Sequence, residues 1–158
     1  MVEQGKSIHE LLSRPLNGIM TAKVSHVRED ESFSHVAQKL VNSSIRHLPV
    51  VNANNELVGL ITQRDLYKIM SPHCNEEGEW VYDLDMLEGV ILKHVMIKNP
   101  YALRPNNTFG DALLAMVHLK YGCIPITDEQ KHICGIVTQY DVLQTFQRAY
   151  NGEATNNG

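Results

Sequence analysis

Apolar and polar positions along the chain alternate between short unbroken apolar runs and stretches where apolar residues recur three and four apart. "RHLPVVN" and "LVGLIT" are compact apolar runs separated by the polar "NANNE", and "CIPITD" and "ICGIVT" are separated in the same way by "DEQKH". Runs of this length, bounded by polar turns, predict two hairpins. Phe33, Val36, Ala37, Leu40 and Val41 fall at helical spacing behind Ser32, a candidate cap, and Thr108 with Asp111 forms a capping box ahead of a second helix. Further helices are expected near Gln63–Met70 and Gln139–Arg148, and short extended pieces at Val24–Val27 and Tyr101–Leu103. "SIHELLSR" reads as a short amphipathic helix ending before Pro15, "SPHCNEEGEWVYDLD" as a loop, "MLEGVILKHVM" as a helix and "NGEATNNG" as a disordered tail.

The order β-α-β-β-α therefore occurs twice. Met20, Arg28, Phe33, Val41, Pro49, Gly59, Thr62, Gln63 and Asp65 each recur 76 positions later, from Met96 to Asp141. Identities mark turns and corners, while apolar positions exchange for other apolar residues: Leu48 faces Ile124, and Leu57 faces Ile133. A unit of about fifty residues is marginal alone. The expected fold is α/β (α+β), with two pseudo-symmetric motifs packed sheet to sheet. The expected boundaries are an arm at 1–15, motifs at 16–70 and 95–148, a connector at 71–94 and a tail at 149–158.

The charge is uneven. The net −4 comes from the connector region, where Lys93 stands against Glu76, Glu77, Glu79, Asp83, Asp85 and Glu88. Near-neutral repeats joined by an acidic connector leave no basic footprint for DNA. No apolar run reaches the roughly 18 residues of a membrane span, and no signal-peptide pattern opens the chain. Cys74, Cys123 and Cys134 show no CxxC spacing, so neither a disulfide framework nor a zinc site is expected, and a reducing cytoplasm is the simplest compartment. The eight histidines show no HxH or HxxxH pairing. There is no Walker loop, GxGxxG or Ser-His-Asp order, and no catalytic site is expected.

The repeated corner, "GLITQRDL" and "GIVTQYDV", has two readings. Thr62 and Asp65, like Thr138 and Asp141, make a cap of the Thr-x-x-acid kind, which needs no ligand. Gly59 and Gly135, however, interrupt strands, where glycine often marks close approach of a ligand or another backbone. Arg46, His47 and Arg64 add donors beside the first corner. An acid for ribose hydroxyls, with cations and a helix start for phosphate, suits a nucleotide.

The doubled "h-P-h" strand and "G-h-h-T-x-x-D" corner resemble a tandem CBS domain pair, or Bateman module, over residues 16–148. That resemblance implies an adenosyl ligand: AMP, ADP, ATP or S-adenosylmethionine. By family pattern Asp65 and Asp141 would contact ribose hydroxyls, with Thr62 and Thr138 near ribose and phosphate. Ile45, Arg46 and His47, or Tyr121, Gly122 and Cys123, would line the base or phosphate end. Arg64 corresponds to Tyr140, and Met20, Ser25, Met96 and Tyr101 complete the candidate set at the repeat starts. The copies are chemically unequal: the first offers phosphate partners, the second an aromatic wall with little charge unless Lys98 or Lys120 reaches in. The resemblance also implies a homodimer, with an interface from apolar residues on Leu66–Met70 and Val142–Phe146. The regulated partner protein is unidentified. The competing reading is a ligand-free scaffold. Trp80 and Tyr82 are expected to pin the connector to the body.

Overall fold

The computed structural model describes residues 8–42 and 44–152. The first seven residues of the expected arm, Ser43 and the tail from residue 153 lie outside the described residues. In chain order the elements are α1 (Ile8–Leu12), a 3-10 turn (Leu16–Gly18), β1 (Val27–Arg28), α2 (Phe33–Asn42), β2 (His47–Val51), β3 (Leu57–Thr62) and α3 (Gln63–Ile69). There follow β4 (His73–Cys74), β5 (Trp80–Val81), a second 3-10 turn (Leu84–Leu87), α4 (Leu92–Val95) and β6 (Ile97–Lys98). Last come α5 (Phe109–Leu119), β7 (Cys123–Thr127), β8 (Ile133–Thr138) and α6 (Gln139–Tyr150). The fold is mixed α+β and carries both repeats.

Local chemistry explains most of these limits. Thr62, Thr108 and Thr138 each cap a helix through a complete capping box. Both hairpins place one residue in the left-handed region at the same repeat position, Asn55 at φ 62 and Lys131 at φ 66. Both also shift register at matching points, Val50/Val51 and Ile126/Thr127. The connector departs from expectation: "SPHCNEEGEWVYDLD" contains the β4–β5 hairpin, and "MLEGVILKHVM" is two short helical turns rather than one helix. Gly89 lies between them at φ 86, a conformation that ends a helix. At the other end α6 runs through Ala149 and Tyr150, beyond the expected start of the tail.

The compact units do not coincide with the sequence repeats. One comprises residues 25–100, the other residues 1–24 with 101–158. In the 25–100 unit the strand order is β1-β2-β3-β6: β1 runs parallel to β2, and β2–β3 and β3–β6 are antiparallel. The other unit repeats the order with shorter pairings: Leu103 bridges Ile126 of β7 in parallel, β7 pairs with β8, and Thr21 bridges Ile136 of β8. Thr21 and Ile136 exchange both backbone hydrogen bonds, each 3.0 Å. An unpaired strand edge is a liability that a short added strand removes. Here the segment opening the first repeat covers the edge of the second repeat's hairpin, and Ile97–Lys98, opening the second, covers the first's.

Each unit has its own apolar core. Phe33, Leu40, Leu48, Ile61 and Leu66 anchor the 25–100 unit, and Phe109, Leu16, Ile124, Ile126 and Val137 anchor the other. Phe33 and Phe109 are repeat equivalents, and burial of such a ring contributes about 1.5–3 kcal/mol. The expected interface helices do carry exposed apolar residues, Tyr67 and Leu143, but not every apolar residue on them is exposed. Leu66, Met70 and Val142 are buried in these cores, and the large exposed apolar residues of α3 and α6 are Tyr67, Tyr140, Leu143 and Tyr150. The physical reason is the helical period: positions 66 and 70 share one face, and that face packs against its own unit's core.

Candidate functional site

Each corner is built where a returning strand runs directly into a helix. At the first, the Thr62 N–H and hydroxyl both donate to Asp65 Oδ2, at 3.0 and 2.7 Å, and the Asp65 N–H donates back to Thr62 Oγ1 at 3.3 Å. Lys68 Nζ approaches Asp65 Oδ1 at 3.2 Å, and Asp65 is only 7% exposed. At the second, the Thr138 N–H and hydroxyl both donate to Asp141 Oδ2 at 2.7 Å, and the Asp141 N–H returns to Thr138 Oγ1 at 3.3 Å. Asp141 Oδ1 takes no hydrogen bond from a described residue. A carboxylate offers about four acceptor sites, so Asp141 keeps more free capacity than Asp65. The Thr108–Asp111 box begins α5 in the same manner without following a returning strand, so a capping box alone does not mark a site.

The strand residues before each proline lie beside these corners. His47 is the register partner of Thr62, and the Gln63 N–H donates to the Arg46 carbonyl at 2.9 Å. Cys123 likewise pairs with Thr138, and the Gln139 N–H donates to the Gly122 carbonyl at 3.0 Å. Burial and then Arg46 hold the His47 imidazole below the usual histidine range; Asp65 opposes this and Arg64 adds to it. Arg46, Arg64 and Asp65 thus each act electrostatically on His47. Cys123, in the position of His47, is buried, and burial pushes its thiol up to about 12. Tyr101 and Tyr121 face each other with ring centroids 6.4 Å apart, and Tyr140, opposite Arg64 in the repeat, is 69% exposed.

The 25–100 unit therefore gathers Ile45, Arg46, His47, Thr62, Arg64 and Asp65, with half-buried Met96 over Gly59 and exposed Ser25 near its start. The other unit gathers Tyr101, Tyr121, Gly122, Cys123, Thr138, Tyr140 and Asp141, with Met20 over Gly135. Both strand glycines admit a methionine side chain, and Gly135 also admits the close approach of another backbone, the Thr21 carbonyl, that its place in a strand suggested. A Cβ on Gly59 would overlap the Met96 sulfur, and one on Gly135 would lie 2.5 Å from Met20 Sδ. Lys98 sits in β6 beside Gly59, in the unit of Asp65, so it is not an added charge within the unit of Asp141.

Sequence reasoning missed Lys68, and also Arg14, Gln144 and Arg148, which with Gly18, Ile19 and Thr145 line a cleft beside Asp141. Its volume is about 20 Å³, enough to hold a water molecule. Lys68 and Arg148 were legible as helical neighbours of Asp65 and Asp141, three and seven residues on; Arg14 arrives from another element. Among the described residues no three His, Cys, Asp or Glu side chains converge to hold a metal ion. Among them, too, no helix is long and apolar enough to cross a membrane.

A family model described as "CBS domain" matches residues 16–72 and again residues 92–148. The chain belongs to the CBS domain family. This CBS pair is 26% identical over 136 residues to a homoserine O-acetyltransferase of Methanococcoides burtonii, covering 85% of this chain and 25% of that protein. It is 29% identical over 139 residues to an inosine-5'-monophosphate dehydrogenase of Bifidobacterium longum, covering 87% and 23%. The chain spans about a quarter of the length of these curated relatives. Among solved structures, the CBS domain pair of protein MJ0100, in complex with methylthioadenosine and S-adenosyl-L-methionine, aligns with TM-score 0.69 at 20% identity, over 84% of this chain and 95% of that one. CBSX2 in complex with AMP aligns with TM-score 0.71 at 20% identity, over 87% and 98%. At these identities the structural likeness establishes the shared fold.

Proposed function

We propose that this CBS pair is a cytoplasmic regulatory module that binds an adenosyl ligand and acts as an energy or metabolite sensor through a partner protein or a homodimer. The observation that carries the reading is the corner itself: twice, a returning strand delivers a Thr-x-x-Asp helix start beside the residues that precede the proline strand. The Asp65 corner, with Arg46, His47 and Arg64, suits the phosphate of AMP, ADP or ATP. The Asp141 corner, with Tyr101, Tyr121 and Tyr140, suits a less charged adenosyl group such as that of S-adenosylmethionine. The ligands of MJ0100 and CBSX2 support this class. The exposed residues Tyr140, Leu143 and Tyr150 on α6 support self-association. The module binds and does not catalyse; the transferase and dehydrogenase names belong to proteins about three times its length.

A ligand would bias a conformational equilibrium only by its differential affinity for the two states. Calorimetry of the full chain with AMP, ADP, ATP and S-adenosylmethionine tests the reading. Asp65→Ala should abolish nucleotide binding that Asp141→Ala largely retains, and equal losses would contradict the asymmetry. A nucleotide a hundredfold above its Kd should also stabilise the protein by about 2.7 kcal/mol. If no compound gives heat or a thermal shift, the second reading stands: a ligand-free scaffold whose Thr-Asp pairs serve as helix caps. That alternative is favoured by one observation, that Oδ2 of each carboxylate already accepts two hydrogen bonds from its own threonine.

A further inference from the structure

We infer that the β4–β5 hairpin and the turn after it form a docking surface for a basic protein segment that also carries apolar side chains. Glu76, Glu77, Glu79, Asp83, Asp85 and Glu88 are all exposed, and no described basic side chain forms an ion pair with any of them. The one lysine of the segment, Lys93, is turned to Glu29 at 3.2 Å. Two large apolar side chains follow these carboxylates in the chain, Trp80 after Glu79 and Met86 after Asp85, and they are 72% and 71% exposed.

The hairpin is ordered by its own bonds. Cys74 pairs with Trp80, the Asn75 N–H donates to the Glu79 carbonyl at 2.9 Å, and the Glu79 N–H donates to Asn75 Oδ1 at 2.8 Å. Tyr82 stacks on Tyr67 of α3 with centroids 6.1 Å apart, fixing the strap to that helix, so pinning holds for Tyr82 and not for Trp80. A solvated acidic loop needs neither an exposed indole nor a fixed anchor. Unneutralised like charges steer an oppositely charged partner, and an exposed Trp supplies the buried area on which interface affinity concentrates. The occupant that fits both is a lysine- or arginine-rich segment with interspersed apolar residues. The inference stands apart from any nucleotide.

Trp80 is the single tryptophan of the chain, so its emission reports this surface alone. The full chain is titrated with a synthetic peptide alternating lysine and leucine, and with one alternating lysine and serine. The lysine–leucine peptide should shift Trp80 emission to the blue, saturate, bind about tenfold or more tighter than the serine peptide, and weaken as salt shortens the Debye length. By calorimetry, Trp80→Ala and the triple variant Glu76→Gln, Glu77→Gln, Glu79→Gln should each lose about tenfold or more. Unshifted emission, equal binding of the two peptides, or equal binding by wild type and the glutamine variant overturns the inference. So does a concentration-dependent Trp80 shift without peptide, which would make a second copy of this chain the occupant.

Discussion

Adding one methyl group at Gly59 and one at Gly135 probes the segments that cover the two hairpin edges. At Gly59 the new Cβ would overlap Met96 Sδ and sit 3.0 and 3.1 Å from Met96 Cε and Cγ, all atoms of one flexible side chain. At Gly135 it would sit 2.5 and 2.9 Å from Met20 Sδ and Cγ, and also 3.1 Å from the Thr21 carbonyl oxygen. That oxygen accepts from the Ile136 N–H at 3.0 Å, so it retreats only by giving up a backbone hydrogen bond. Overpacking costs about 1–3 kcal/mol. Alanine recovers about 0.4–1 kcal/mol by restricting the unfolded chain. Gly59→Ala should therefore destabilise by about 1 kcal/mol, and Gly135→Ala by about 2 kcal/mol or more once the strained backbone bond is included. The assay is a double-mutant cycle in urea with Met96→Ala and Met20→Ala. Thermal melts should follow at about 2–4 °C per kcal/mol. Met96→Ala should relieve nearly all the clash at Gly59, with a coupling of about 0.5 kcal/mol or more, whereas Met20→Ala should relieve only part of the clash at Gly135. Additive pairs, or equal costs at the two glycines, would refute the placement of these methionines.

Two further outcomes follow from local geometry and charge. Because the folded protein holds the His47 pKa below its ordinary 6.5, the unfolded chain binds more protons as pH drops beneath that value. Stability present above pH 6.5 should therefore be lost as pH falls toward the folded pKa, and His47→Gln should flatten this acid limb in urea midpoints compared across pH. Burial is the largest cause of this shift and Arg46 the next, so Arg46→Gln should lessen the acid loss in part. Lys131 holds φ 66 in its hairpin, a region that costs a side-chain-bearing residue about 1–2 kcal/mol. Lys131→Gly should raise the melting temperature more than Asn55→Gly, since asparagine tolerates φ 62 at its own position better than lysine does; the reverse order would count against the turn assignment.

Much of the fold is legible in the sequence. Capping boxes, strand limits and turn residues depend on bonds between residues three or four apart, so Thr62–Asp65, Thr108–Asp111 and Thr138–Asp141 could be read from spacing alone. The repeat, the core aromatic pair Phe33 and Phe109, and the family followed from the same local record. Tertiary structure decided matters in which local context is degenerate. Met20 and Met96 occupy equivalent repeat positions, and nothing near either one dictates that each should cover the other repeat's glycine; that choice is made by closure of a strand edge far along the chain. It also decided that Asp65 meets Lys68 while Asp141 Oδ1 takes no hydrogen bond from a described residue, beside a water-sized cleft. In the connector, it turned Tyr82 onto Tyr67 and left Trp80 outside. Such outcomes depend on which surfaces remain unpaired after each core has closed, a property of the assembled unit that no window of sequence contains.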